Sequence, residues 1–266
     1  MMNIKNNRKN IAAGIILILS LFVMGITGYK LWESNQIYRE ANESYDQLIA
    51  MVRPGNLQAK TNINEEINEL SDELPDEDLR MAVDFAALKT INNDGVAWLY
   101  GPGSVIDYPV MQARDYDYYL HHLPNGKYNA NGSLFIDYNN ASDFSDRLTI
   151  IYGHNMNSGR MFGSLTKYKE QSYFDENPHM YLFTEQQDYR IDFVYGCMIA
   201  AGEWRDRAFM YQVNTDSLLS YADYHSTFTS GVTHTPDDRV IVLSTCSNDF
   251  NDARYILIGI LRDVVN

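Results

Sequence analysis

Three side chains of complementary chemistry sit at the ends of apolar runs. Cys246 closes Arg239-Val-Ile-Val-Leu-Ser-Thr-Cys246, a run dominated by β-branched residues, so its thiol falls at a strand end, where side chains can leave a core for a cleft. His154 closes Leu148-Thr-Ile-Ile-Tyr-Gly-His154, with Gly153 before it allowing an unusual backbone. Arg254 opens the next apolar run, eight residues after the cysteine. A free thiol has a pKa of about 8.5, so only a few per cent is thiolate at neutral pH. A neighbouring imidazolium or guanidinium raises that fraction, and an imidazole can protonate a leaving amine. A guanidinium stays charged at any workable pH and can bind a developing oxyanion or hold a substrate backbone. Together the three point to acyl transfer through a thioester. Taken singly, each also has a structural reading: a cysteine as a small core residue, an arginine as a surface ion-pair partner.

Positioning these residues falls to a series of short β-rich runs that begins after Asn92-Asn93-Asp94-Gly95. The expected strands are Val96–Tyr100, Tyr108–Gln112, Gly132–Ile136, Leu148–Tyr152, Met180–Thr184, Tyr189–Ala200, Arg239–Thr245 and Arg254–Leu261. Most are too close together for intervening helices, which favours a mixed or antiparallel barrel over a doubly wound sheet. Met161–Tyr168 reads as a short helix. Residues 201–238 are too long for a bare connection, and Asp216–His225 reads as a helix packed on the barrel. The fold class is therefore mainly β (α+β), a closed barrel of about eight strands with peripheral helices. No internal repeat or low-complexity tract appears.

Upstream, Ile11–Tyr29 is a run of 19 uncharged, mostly apolar residues. As a helix it spans about 28 Å, close to the roughly 30 Å hydrocarbon core of a bilayer. Lys5, Arg8 and Lys9 precede it and place the N-terminus in the cytoplasm, with Lys30 and Trp32 at the far interface. The length, and the lack of a small-residue cleavage pattern, favour a retained anchor over a cleaved signal peptide. The expected organisation is a cytoplasmic tip (1–10), a transmembrane anchor (11–29), an extracytoplasmic helical stalk (30–79) and a catalytic domain (80–266). Within the stalk and its continuation Leu48, Ile49 and Val52 supply apolar positions, Pro54-Gly55 breaks the run, and residues 62–80 carry eight acids against one base. The acidic stretch reads as a solvated helical face. A further helix is expected from about Asp76 to Thr90, with Val83, Phe85 and Leu88 inward.

Composition narrows the function. The 266 residues are 45% hydrophobic with 34 aromatics, ample for a core. The formal net charge of −14 excludes a nucleic-acid binder that works by neutralising phosphates. The charge is also divided, +3 in the first ten residues and −17 in the rest, so its change of sign marks topology rather than substrate preference. Two cysteines are too few for a disulfide scaffold or a cysteine-rich zinc module. Strand alternation places Ile191, Phe193, Tyr195, Cys197 and Ile199 on one face, making Cys197 a core residue rather than a disulfide partner of Cys246. His121-His122 is a poor metal pair, since adjacent strand residues point to opposite faces. His179, His225 and His234 fall in loops or helix ends and lack ligand spacing, and no EF-hand pattern appears. Neither a metal nor another cofactor is called for.

The segment Leu243-Ser244-Thr245-Cys246 with Arg254 downstream, and Tyr152-Gly153-His154-Asn155-Met156 upstream, resembles the sortase pattern. Further matches are Asp107-Tyr108-Pro109-Val110, Tyr118-Tyr119-Leu120, Gly132-Ser-Leu-Phe-Ile-Asp137 and Met161-Phe162. The resemblance covers about residues 80–262. It implies a sortase barrel with Cys246 as nucleophile, His154 as general acid/base and Arg254 as oxyanion or substrate ligand. In this family the active form is thought to pair a minority thiolate with an imidazolium.

The long 201–238 segment and the helical N-terminal extension resemble class B. Class A has a shorter connection before the cysteine strand, and class C usually carries a lid and often a second hydrophobic helix. In class B the insert helix helps line the groove for the sorting peptide. Ser244, Thr245 and Leu120 are the positions the resemblance assigns to substrate, while an Asn common four residues before that Leu is Tyr116 here. The partners implied are secreted proteins bearing a C-terminal sorting motif and a peptidoglycan precursor or cross-bridge amine, as in surface-protein anchoring in Gram-positive walls. Two other readings stay open. One is a different extracytoplasmic thiol hydrolase or transpeptidase, although an L,D-transpeptidase usually places its Arg two residues after the Cys, and a papain-like enzyme has Cys before His. The other is a non-enzymatic surface binding module on the same barrel.

Overall fold

The computed structural model describes residues 2–53, 83–156, 158–246 and 253–264. Pro54-Gly55, the acidic stretch 62–80 and the part of the expected helix before residue 83 lie outside the described residues.

Helix α1 (Met2–Val52) passes from one compact unit, ending at Glu43, into a second that begins at Ser44. In the first unit the apolar side chains from Ile15 to Trp32 are exposed. This stretch is long and apolar enough to cross a membrane. In the second unit the end of α1 is a packing element. Leu48 and Val52 are buried in a cluster with Leu88, Trp98, Tyr181 and Phe183. Just past the helix Arg53 is buried, ion-paired to Asp107, and lies over the rings of Trp98 and Tyr100. Trp98 Nε1 donates to the same Asp107 carboxylate at 2.7 Å.

Helix α2 is shorter than expected, Phe85–Ile91, because Asp84 caps it by accepting from the Ala87 backbone N–H at 2.8 Å. Leu88 is buried and Val83 and Phe85 are half-buried against the same cluster. Eight strands follow: β1 (Gly95–Tyr100), β2 (Asp107–Met111), β3 (Leu134–Ile136), β4 (Leu148–His154), β5 (His179–Thr184), β6 (Asp188–Ala200), β7 (Val240–Cys246) and β8 (Ala253–Asp263). They close into a barrel in the order β1-β2-β3-β4-β7-β8-β6-β5, as the sequence predicts in class and strand number. Two neighbouring pairs are parallel, β2 with β3 and β4 with β7, and the rest are antiparallel.

The β4–β7 crossover holds the helices. A 3-10 stretch (Gly163–Lys169) and helix α3 (Gln171–Glu176) stand where Met161–Tyr168 reads as one short helix. Residues 201–238 contribute two helices rather than one, α4 (Ala201–Val213) and α5 (Thr215–His225). Both pack on the barrel face formed by Ile150, Tyr152, Val240, Val242, Ile256, Ile258 and Ile260, through Trp204, Ala208, Tyr211, Leu218, Leu219 and Ala222. A closed barrel cannot hold helices inside, so this is its outer face.

Three expectations need correction. A β-bulge between Phe193 and Tyr195 breaks the alternation of β6. Ile191 and Phe193 therefore lie opposite Leu261 and Gly259, whereas Tyr195, Cys197 and Ile199 lie opposite Ile258, Ile256 and Arg254 on the helix-covered face. Cys197 is still a free, buried core thiol. His121 and His122 are not on a strand. They follow a 3-10 turn (Tyr118–Leu120), where the His122 ring stacks on Tyr118 at 4.0 Å. His179 begins β5 rather than lying in a loop.

Candidate active site

The barrel order places β4, β7 and β8 side by side, and their ends carry the three residues singled out in the sequence. In the parallel β4–β7 ladder His154 is the register partner of Cys246, the last residue of each strand. The antiparallel β7–β8 register runs from Val240 opposite Ile260 to Ser244 opposite Ile256. That register ends two residues short of Cys246 and Arg254. His154 and Cys246 are thus paired at the ends of β4 and β7, about 4.8 Å apart, and Arg254 lies near the start of the adjacent β8.

Each neighbour of the cysteine is held in place. His154 Nε2 lies 2.7 Å from the Leu120 carbonyl. A carbonyl can only accept, so Nε2 carries a hydrogen in this contact. The His154 carbonyl accepts from the Phe162 N–H at 3.0 Å, across a turn in which Met161 takes a φ of 50°. Gly153 has an ordinary strand backbone, contrary to expectation, and its value is in packing: a Cβ there would run into Leu134 and Phe162. Arg254 Nη1 donates to the Thr245 carbonyl at 3.1 Å, fixing the guanidinium beside the cysteine's own peptide.

A cavity of about 230 Å3 opens beside Arg254, lined by Tyr116, Leu120, Phe135, Tyr152, Trp204, Arg205, Ala208 and Arg254. Its walls are mainly apolar and aromatic, as ligand clefts usually are. Two of its lining donors, Arg254 Nε and Trp204 Nε1, are buried without a hydrogen-bond partner, as is Ser244 Oγ in β7. Buried orphan donors are costly unless an incoming acceptor takes them. Thr245 is also buried, with its hydroxyl joined to the Tyr255 backbone, receiving from N–H at 3.0 Å and donating to C=O at 3.2 Å. Tyr116, at the position of the family's common Asn, donates to buried Asp137 at 2.9 Å, and Tyr152 donates to the same carboxylate at 3.1 Å. Burial and that carboxylate both push the Tyr116 phenol up, so it stays protonated.

Of the residues expected to meet substrate, Leu120 lines the cavity, while Ser244 and Thr245 are buried in β7 and are not among the lining residues. The insert helix on the cavity is α4 rather than the expected Asp216–His225 segment. Trp204, Ala208 and Tyr211 recur at helical spacing, so the signal for this helix was present in the sequence. Phe135, Tyr152 and Asp137 were missed as site residues because their partners are far away in sequence.

Solved structures that superpose on the chain include class B sortases. A Staphylococcus aureus sortase B–substrate complex superposes with a TM-score of 0.66 at 21% identity, covering 84% of this chain and all of that one. Clostridium perfringens sortase B superposes with a TM-score of 0.61 at 28% identity, covering 67% of this chain and all of that one. Sortase B of Listeria monocytogenes is 33% identical over 209 residues, which is 76% of this chain and 77% of the relative. No family model matches the chain. At that identity and coverage the chain belongs to the class B sortases. It is accordingly a cysteine transpeptidase of the cell-wall anchoring type.

Proposed function

We propose that this sortase is held in the membrane by residues 11–29, with residues 1–10 in the cytoplasm, 30–79 as an extracytoplasmic extension and 80–266 as the catalytic domain outside. Its substrates are secreted proteins carrying a C-terminal sorting motif, and its acceptor is an amine of a peptidoglycan precursor or cross-bridge. The observation that carries the reading is that adjacent strands β4, β7 and β8 bring His154 into register with Cys246 and start Arg254 beside them, its guanidinium on the Thr245 carbonyl. A cysteine beside a proton carrier and a fixed cation is the set of groups acyl transfer needs.

The Cys246 thiolate attacks the carbonyl carbon of the motif's Thr, and the electron pair of the C=O collects on oxygen. Arg254 donates to that oxyanion. Collapse breaks the C–N bond as His154 gives a proton to the departing amine, leaving a thioester. The acceptor amine then attacks the thioester, His154 takes its proton, and Cys246 leaves as thiolate. Leu120 supplies an apolar wall for the motif. Ser244 supplies a buried hydroxyl in β7, and Thr245 contributes through the carbonyl that orients Arg254.

A peptide-library cleavage assay tests this. A subset of Thr-containing peptides should be cleaved after Thr, with product transferred to an added oligoglycine amine. Cleavage without dependence on Cys246, or no selectivity across the library, would contradict the reading.

A further inference from the structure

The cavity beside Arg254 has charge of one sign. Arg205 and Arg254 are its charged lining residues, and both are cations. No carboxylate stands among the lining residues, although the chain carries a formal net charge of −14. The two arginines are therefore a local feature and not part of a basic surface. Two carboxylates adjoining the lining are engaged elsewhere. Buried Asp137 accepts from Tyr116, Tyr152 and Asn139, and Glu203 faces Arg207 at 3.5 Å.

The unspent polar groups of the lining are also of one kind. Arg254 Nε and Trp204 Nε1 are buried donors without a partner, and Trp204 is 1% exposed. Arg254 Nη1 is already on the Thr245 carbonyl. Among the described residues Arg205 meets just Asp206, its neighbour in the chain, with Nε 3.5 Å from Oδ1 and the two side chains 77% and 73% exposed. An ion pair that open to water holds its partners weakly. Arg205 precedes Ala208 by three residues on α4, so it borders the stripe of Trp204 and Ala208 that packs on the barrel. A side chain both exposed and in the lining stands at the cavity's mouth.

From this one-sided set of donors we infer that Arg205 determines specificity, by binding an Asp or Glu carboxylate carried just before the Thr of the sorting motif. The inference rests on reading this cavity as the peptide's site. Arg254 is committed to the Thr245 carbonyl and the oxyanion, which leaves Arg205 as the cation for a peptide side chain. A carboxylate offers two acceptor oxygens that match the guanidinium fork, whereas a glutamine offers one and no charge. A lysine brought to two arginines is repelled. The orphan N–H groups of Trp204 and Arg254 favour an acceptor-rich occupant in the same way.

The test uses the full chain in detergent and a library-selected peptide in which each residue before the Thr is made Glu, Gln or Lys in turn. At one position the wild type should cleave the Glu peptide with a kcat/KM about fivefold above the Gln peptide, and the Lys peptide slowest. The advantage should lie in KM, since the contact is made in the ground state, and should shrink at about 1 M salt. Arg205→Gln should lose it, and Arg205→Glu should turn it towards Lys at that position. Arg207→Gln, on the same helix but outside the lining, should keep the wild-type preference. No preference for Glu at any position, or a preference that survives Arg205→Glu, overturns the inference. An equal loss in Arg207→Gln, or an effect of Arg205→Glu confined to the KM of the acceptor amine, overturns it too. If no Thr peptide is cleaved in a Cys246-dependent way, the proposed function itself falls and takes this inference with it.

Discussion

Replacing Arg254 by Lys keeps the positive charge and removes the planar fork, which separates charge from geometry. A guanidinium has five N–H donors. Here Nη1 is spent on the Thr245 carbonyl at 3.1 Å, and Nε is buried with no partner while the side chain lines the cavity. The arginine can therefore hold its own position and still present donors to an oxyanion. A lysine has one nitrogen on a flexible stem, so keeping the Thr245 contact draws it away from the reacting oxygen. Loss of one preorganised donor to an oxyanion costs about 2.7–4 kcal/mol, or about 10²–10³ in kcat. The retained charge places the expectation at the lower end, a fall of about 100-fold in kcat. KM should stay within about threefold, because the oxyanion exists only in the transition state. Steady-state cleavage of a library-selected fluorogenic peptide measures both constants, with reactive enzyme counted by titration. A kcat within threefold of wild type would refute the argument and leave Arg254 as a prop for β7. A rise in KM alone would make it a ground-state peptide ligand.

Three further outcomes follow from packing and burial. Asp107→Ala removes the anion facing the buried Arg53 cation and the acceptor of Trp98 Nε1, at a cost of about 3–5 kcal/mol. Calorimetry should show Tm lower by about 10 °C, and a change under 3 °C would mean the pair contributes little. Gly153→Ala forces a methyl against Leu134 and Phe162, with about 1–3 kcal/mol of overpacking next to His154; denaturant unfolding should show that loss together with reduced turnover. Burial pushes the Cys197 thiol up to about 12, so it stays protonated through pH 6–9 and deprotonates only far above. Iodoacetamide at pH 8 should leave the Cys197 peptide unmodified in native protein and modify it in urea, as peptide mapping will show.

What the sequence revealed, and what it hid, divides along local and non-local lines. All eight strands could be read from alternation and turn residues, because each is a local pattern with its own boundaries. Cys246, His154 and Arg254 stood out for the same reason, each at the end of an apolar run. The β6 bulge did not, since a bulge adds one residue without changing composition, and it put Ile191 and Cys197 on different faces. Helix α4 was hidden by its mixed polarity, although Trp204, Ala208 and Tyr211 mark its inner stripe. The Asp137 cluster with Tyr116 and Tyr152 joins three strands or loops, and only the closed barrel brings them together. Tyr45 is the extreme case, donating to the Gly132 carbonyl 87 residues away.

The central claim is that Cys246 carries the acyl group. Intact-protein mass spectrometry after mixing the full-length enzyme with a cleavable peptide, before any amine is added, measures it directly. The mass should rise by that of the fragment ending in Thr, peptide mapping should place the adduct on Cys246, and an added amine should discharge it. Cys246→Ala should show neither adduct nor cleavage. An adduct on another residue, or undiminished cleavage by Cys246→Ala, would contradict the account.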